Sequence, residues 1–193
     1  MDTLIFASNN QHKADEIRQV LGNIFQILTL KEAGINIDIP EPHDTLEANA
    51  TEKSTTIHNL TKKNCFSEDT GLEVEALNGA PGVQSARYAG ESRTFKTNIE
   101  KLLRTMDATA NRKARFRTVI SLIWGNEEIQ FQGACEGEII NEERGEYGFG
   151  YDAVFVPEGS KLTFAEMGTK EKNTFSHRKK ALDKLIVYLT SLK

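Results

Sequence analysis

The first thirty residues constrain the fold most. Thr3-Leu-Ile-Phe-Ala7 is a short apolar run rich in strand formers, and it reads as a buried strand. Ser8-Asn9-Asn10 is a turn and cap signal. Ile17, Val20, Leu21 and Ile24 then recur at helical spacing, which predicts a helix from Gln11 to Leu21 with Gly22 as its stop. Phe25 to Leu30 reads as a second strand. A strand–helix–strand opening favours the α/β class, in which helices cover the faces of an apolar sheet.

The rest of the chain continues the alternation. Lys31 to Asp44 is mostly loop, with Pro40 and Pro42. Thr45 to Leu60 reads as a helix with Leu46, Ala50 and Ile57 inward. Cys65-Phe66-Ser67 enters a strand, Glu68-Asp69-Thr70-Gly71 stands at its end, and Gly71 to Leu77 leaves as another strand. Asn78 to Gly82 is a dense turn, and Phe95 to Met106 has helical spacing. Ala114 to Trp124 and Glu128 to Ile140 read as two long strands joined at Gly125-Asn126. After a glycine-rich loop over 141–150, Ala153 to Val156 is a short buried strand. Ala181, Leu182, Leu185, Ile186, Leu189 and Leu192 form the stripe of a final helix. No internal repeat and no Pro/Gly/Ser-rich linker interrupts the chain, so residues 1–193 are expected to form one domain.

Charge and cysteine usage narrow the function classes. The 193 residues carry 24 Lys and Arg against 28 Asp and Glu, a net charge of −4. That balance argues against broad binding to nucleic acid or to an anionic membrane, but not against a local basic pocket. Cys65 and Cys135 form no CxxC pattern, so neither a disulfide framework nor a zinc site is expected, and reduced thiols in a cytoplasm are. The start, Met1-Asp2-Thr3, lacks a basic region, and the apolar run Leu4 to Ala7 is too short for a secretory leader. No stretch approaches the ~20 apolar residues of a membrane span.

Four clusters carry chemistry. Ser8-Asn9-Asn10-Gln11-His12-Lys13 follows a strand and opens a helix, where free N–H groups and the helix dipole attract anions. Lys13 stands in that first turn against the dipole, an arrangement that makes sense with an anion beside it. A solvated lysine behind a plain cap is the simpler account. Glu68 and Asp69, with Glu41 from the long loop, suit a hard divalent ion such as Mg²⁺, and one carboxylate could take a proton from water. A solvated acidic turn would look the same. Gly145 to Asp152 interleaves three glycines with Tyr147, Phe149 and Tyr151, a pattern that suits either a stacked base or a tight connection with core aromatics. Lys170 to Lys180 holds five Lys or Arg and one Glu. There Ser176 reads as an N-cap, and Arg178 offers planar donors to carbonyl or phosphate oxygens, unless this is a solvated basic face. Phosphate, metal and ring sites together are the parts of a Mg²⁺–nucleotide enzyme.

The residues that carry these clusters also carry a resemblance. Ser8-Asn-Asn-Gln-His-Lys13, Ser67-Glu-Asp-Thr-Gly-Leu72, Gly79-Ala-Pro-Gly82, Ser85-Ala-Arg-Tyr88, Gly148-Phe-Gly-Tyr-Asp152 and Ser176-His-Arg178 stand in family order across nearly the whole chain. On them the chain resembles the inosine triphosphate pyrophosphatase family, the non-standard purine nucleoside triphosphate pyrophosphatases of the dITP/XTP type. The resemblance implies Mg²⁺-dependent hydrolysis of ITP, dITP and XTP to the monophosphate and pyrophosphate. It implies an α/β fold with a long central mixed sheet flanked by helices, two lobes with the active-site cleft between them, and a homodimer. By matching positions, Asp69 is the catalytic carboxylate. Glu41 and Asp69 are the metal ligands, with Glu68 accessory and Glu47 and Glu52 as competitors for the Glu41 role. Ser8, Asn9, Asn10, Lys13 and Thr70 cradle the triphosphate. Phe149 stacks on the base, Gly150, Tyr151 and Asp152 complete its pocket, and Lys172, His177 and Arg178 close over phosphate and purine. An arginine donor suits the six-carbonyl of hypoxanthine and xanthine and mismatches the amino group of adenine. Asn9 replaces the glycine frequent in relatives. Two other readings are a nucleotide sensor without useful hydrolysis and a pyrophosphatase for modified pyrimidine nucleotides.

Overall fold

The computed structural model describes residues 2–90 and 94–192. Met1, which the expectation about the chain start includes, lies outside the described residues. The fold is α/β, with the strand order β2-β1-β3-β5-β6-β7 and β4 paired to β3. The strands are β1 (Asp2–Phe6), β2 (Phe25–Thr29), β3 (Cys65–Val74), β4 (Pro81–Gly82), β5 (Lys113–Trp124), β6 (Glu127–Ile139) and β7 (Phe155–Pro157). The helices are α1 (Gln11–Leu21), α2 (Leu46–Thr61), α3 (Phe95–Thr105), α4 (Thr169–Phe175) and α5 (His177–Ser191).

By their contacts the residues fall into two units. The first comprises the chain through Asp69, Thr118–Gly133, and the chain from Arg178 onward. The second comprises Thr70–Arg117 and Ala134–His177. In the first unit β1 pairs in parallel with β2 and with β3. Alternate residues of β1 enter different cores. Leu4 and Phe6 pack with Ile17 and Leu21 of α1 and Leu182 and Leu185 of α5, while Ile5 packs with Ile57 of α2 and with Cys65. Burial on both faces is what parallel strands require, and it explains why this strand reads as a continuous apolar run.

In the second unit Ile99 and Leu102 of α3 join Leu72, Val74, Phe116, Phe155 and Phe164 in one core. Here β4 runs antiparallel to β3 and β7 antiparallel to β6. No helix among the described residues is long and apolar enough to cross a membrane.

Helix α1 begins and ends where its periodicity predicts, with Asn10 as N-cap accepting from the Lys13 N–H and Gly22 following Leu21. Gly22 is right-handed at φ −63°, and a Cβ there would stand 2.4 Å from the Arg18 carbonyl oxygen. Space, not handedness, therefore requires this glycine. One expectation needs correction. The two strands expected on either side of Glu68-Asp69 are one strand, β3, so these acids lie inside a strand and not at its end. Helix α4 escapes sequence reading because its seven residues are too short for a periodic signal. Ser176 both closes α4, its N–H donating to the Lys172 carbonyl, and stands at the expected N-cap position, directly before α5 starts at His177.

Candidate active site

Glu68 organises the charges of the first unit. Its side chain is fully buried, and Arg178 grips it with two parallel hydrogen bonds, Nε to Oε2 at 2.6 Å and Nη2 to Oε1 at 2.8 Å. Lys13 Nζ reaches Oε1 at 3.1 Å. The Arg178 guanidinium also donates to Glu16 Oε2. Burial alone would depress the Arg178 pKa, but Glu68 and Glu16 outweigh it and hold the group protonated. Lys13 and Arg178 both stand in the first turn of a helix, where the dipole disfavours a cation by ~0.3–1 kcal/mol. Both are offset by Glu68. One counter-ion of Lys13 is thus supplied within the protein.

This arrangement bears on two of the expected roles. Three of the five N–H groups of Arg178 donate to carboxylates. Glu68 is an ion-pair centre for two cations, Lys13 and Arg178.

The second part of the cluster centres on Lys53. Its Nζ lies 2.5 Å from Glu41 Oε1, 3.1 Å from Asp69 Oδ1 and 2.9 Å from the Glu68 carbonyl oxygen. Burial lowers the Lys53 pKa, and the charges of Asp69 and Glu41 more than reverse this, leaving it raised. Asp69 is 7% exposed. Desolvation pushes its pKa up, Lys53 and Lys13 pull it down, Glu41 adds to the rise, and the outcome is a raised value. Asp69 Oδ2 is buried without a hydrogen-bond partner, a costly state for a carboxylate oxygen. Glu52 pairs with His43 at 3.6 Å and Glu47 accepts from Gln132, so Glu41 is the loop carboxylate that joins Asp69.

Lys53 and Glu16 were not singled out by sequence reading. Lys53 had a signal, because Leu46, Ala50, Lys53 and Ile57 form one inward stripe with a lysine in it. Glu16 had none, since an acid near a helix start is ordinary.

Three cations, Lys13, Lys53 and Arg178, thus face four carboxylates, Glu16, Glu41, Glu68 and Asp69. The surplus negative charge and the unpartnered Asp69 oxygen fit a divalent cation of the Mg²⁺ type, which takes one or two carboxylates and completes its shell with water and phosphate oxygens. Among the described residues no group of three or more His, Cys, Asp or Glu side chains is placed to hold a metal ion by itself.

The cradle residues use their side chains to shape the loop. Ser8 Oγ accepts from the Asn10 N–H, and Asn10 Oδ1 from the Lys13 N–H. Asn9 Oδ1 accepts from the Lys31 N–H at 2.8 Å. Asn9 is not among the described non-glycine residues of positive φ, so its place in this loop rests on that bond and not on left-handed backbone. Thr70 follows Asp69 within β3 and is half-buried.

The second unit holds the ring-binding candidates. Asp152 Oδ2 accepts from the Phe149 N–H at 2.9 Å and from Lys172 Nζ at 2.8 Å. Lys172 Nζ also stands 5.4 Å from the Phe149 ring centroid and 5.3 Å from that of Phe164. Phe149 is half-buried, with the Phe95 ring 6.1 Å away. Gly148 has φ +78°, and a Cβ there would come within 2.2 Å of Asp152 Oδ2, so only glycine leaves the carboxylate room. Gly150 is also left-handed at φ +64°.

Two residues expected at the base lie in the core. Tyr151 is 3% exposed, and its hydroxyl donates to the Ser85 carbonyl, with burial raising its pKa. It therefore supports the loop from beneath. His177 is buried with its ring stacked 4.8 Å from Phe116 and 6.2 Å from Phe164.

Comparison with known proteins follows the same residues. The model of the Ham1 family matches residues 4–188. The dITP/XTP pyrophosphatase of Porphyromonas gingivalis is 50% identical over the full length of both chains. That of Flavobacterium psychrophilum is 47% identical over 95% of this chain and 96% of its own. The structure of the Staphylococcus aureus Ham1 protein aligns over 100% of both chains, with a TM-score of 0.90 and 37% identity. A nucleoside-triphosphatase / dITP/XTP pyrophosphatase from Mycobacterium abscessus aligns at a TM-score of 0.78 and 34% identity, over 95% of this chain and 98% of its own.

Proposed function

Since the chain belongs to the Ham1 family, we propose that it is a pyrophosphatase that hydrolyses non-standard purine nucleoside triphosphates, ITP, dITP and XTP. The reaction adds water across the α–β phosphoanhydride and releases the monophosphate and pyrophosphate, which removes such nucleotides from the pool.

The observation that carries the reading is Asp69. One carboxylate oxygen is held by Lys53, and the other is buried with no hydrogen-bond partner. A carboxylate in this state, with its pKa raised by burial, is suited either to accept a proton from water or to bind the cation at Oδ2. Glu41 and Asp69 are the residues that would hold Mg²⁺, which when bound offsets the charge of the triphosphate. Lys13, beside the N–H groups that open α1, binds phosphate oxygens. Lys53 holds Glu41 and Asp69 together and keeps two carboxylates from repelling each other. Arg178 acts through Glu68, by fixing the carboxylate that orients Lys13. Phe149 offers its ring to the base, and the ammonium of Lys172 beside it adds a cation–π contact.

The activity belongs, in this proposal, to a cytoplasmic homodimer. The two buried free cysteines suit a reducing compartment, and sedimentation of the purified protein checks the dimer. Pyrophosphate release from ITP, XTP, ATP and GTP, with and without Mg²⁺, tests the function. ITP and XTP should be cleaved far faster than ATP and GTP, and only with the metal. Equal rates on all four would overturn the specificity, and binding of XTP without release of pyrophosphate would leave a sensor in place of an enzyme.

A further inference from the structure

The loop that carries Glu41 has little structure of its own. After the turn closed by Ala33 N–H to the Thr29 carbonyl and Ile35 N–H to the Leu30 carbonyl, residues 35–43 lie in no helix or strand. Pro40 and Pro42 flank Glu41 and have no N–H to pair. The first amide beyond them is that of His43.

Asn49 meets it. This α2 side chain is 0% exposed. Its Oδ1 accepts from the His43 N–H at 3.0 Å, and its Nδ2 donates to the His43 carbonyl at 3.1 Å. The reciprocal pair lets a side-chain amide do the work of a neighbouring strand. Lys53 stands one turn further along α2, and its ammonium meets Glu41 itself. One helix therefore grips the loop twice, by the backbone at His43 and by the carboxylate at Glu41. At the loop's start, Asn9 accepts from the Lys31 N–H.

We propose that Asn49 is a positioning residue that sets Glu41 against Lys53 and Asp69 by fixing the peptide of His43. It touches neither substrate nor metal. Its amide is required because only a group with one donor and one acceptor side by side can match both polar atoms of a single residue's backbone. The consequence for turnover rests on the pyrophosphatase reading, while the consequence for the loop does not.

The experiment uses the full chain and Asn49→Ala, with Asn49→Asp as the isosteric variant that keeps the acceptor and loses the donor. Three readouts are taken: hydrogen exchange over residues 41–44, Mn²⁺ affinity by electron paramagnetic resonance, and kcat and KM for ITP. Asn49→Ala should speed exchange over 41–44 while the amides of β1 and β5 stay protected. It should also weaken Mn²⁺ binding and lower kcat by ~10-fold or more, the scale seen for supports of metal ligands, with KM changed far less. Asn49→Asp should move all three in the same direction. A folded Asn49→Ala with wild-type exchange over 41–44 and wild-type kcat overturns the proposal. If that variant does not fold, wild-type exchange and kcat in Asn49→Asp overturn it equally. Failure of the wild-type protein to cleave ITP or XTP would sink the functional reading and leave the exchange result to decide the positioning role.

Discussion

The two units solve the burial of polar groups differently. In the first, carboxylates and cations share one another, so that Glu68 serves both Lys13 and Arg178 while Lys53 serves both Glu41 and Asp69. In the second, the buried ion pair among the described residues, Asp152 with Lys172, sits among rings and glycines, while Glu73 is shared by Arg115 and Arg117 where all three side chains are partly exposed. A shared network is intolerant, because removing one member leaves a buried charge with no partner. A ring at a half-exposed position can be cut back at the cost of its contact alone. Chemistry that manages charge belongs in the first setting, and recognition of a flat, weakly charged base in the second.

The largest effect should come from Asp69→Asn. The amide keeps an oxygen for Lys53 but loses basicity, so turnover of XTP should fall by ~10²–10⁴-fold, the range of general-base contributions. The thermal midpoint should stay near wild type. Near wild-type turnover would remove Asp69 from the mechanism. Arg178→Ala comes next. It leaves Glu68 and Glu16 without their shared guanidinium, and urea unfolding should report a loss of ~3–5 kcal/mol. A loss under ~1 kcal/mol, the level of an exposed pair, would show the network to be solvated and the contrast with the second unit to be false.

Phe149→Ala should be milder. A stacking contact is worth ~1–3 kcal/mol per base, so KM for XTP should rise with stability little changed. A large drop in stability would place Phe149 in the core and not at a base. The smallest expected effect concerns Cys65, whose thiol is pushed up to about 12 by burial. Since the thiolate is the reactive form, a thiol reagent at neutral pH should leave Cys65 unlabelled in the native protein and label it in urea. Fast native labelling would show that the first unit opens readily.

Much of this was legible locally. The bounds of α1 follow from its cap and its 3.6-residue stripe, and β5 and β6 differ from the expected strands by a residue or so at three of their four ends. The glycines at 148 and 150 lie where left-handed backbone is needed. What misled was local as well. Two adjacent acids read as a turn because a lone carboxylate is costly to bury, and nothing near Glu68 in sequence reveals the cations that make its burial possible. Lys53 was visible in the stripe of α2, but an inward lysine has no meaning until its carboxylates are known. Arg178 and His177 were expected beside substrate because of the family resemblance, and their packing against Glu68 and Phe116 is invisible to spacing.

The sequence alone therefore determined the class, the strand–helix–strand opening, the capped start of α1, and an inventory of phosphate-, metal- and ring-binding groups. Only the tertiary structure decided which charge meets which. Arg178 and Glu68 are 110 residues apart, and Lys53 and Asp69 are 16. Local periodicity tells a side chain which face of its own element it occupies. Its partner is set by which elements the sheet brings beside it, and that ordering turned two cations placed against helix dipoles into supports of a single buried carboxylate.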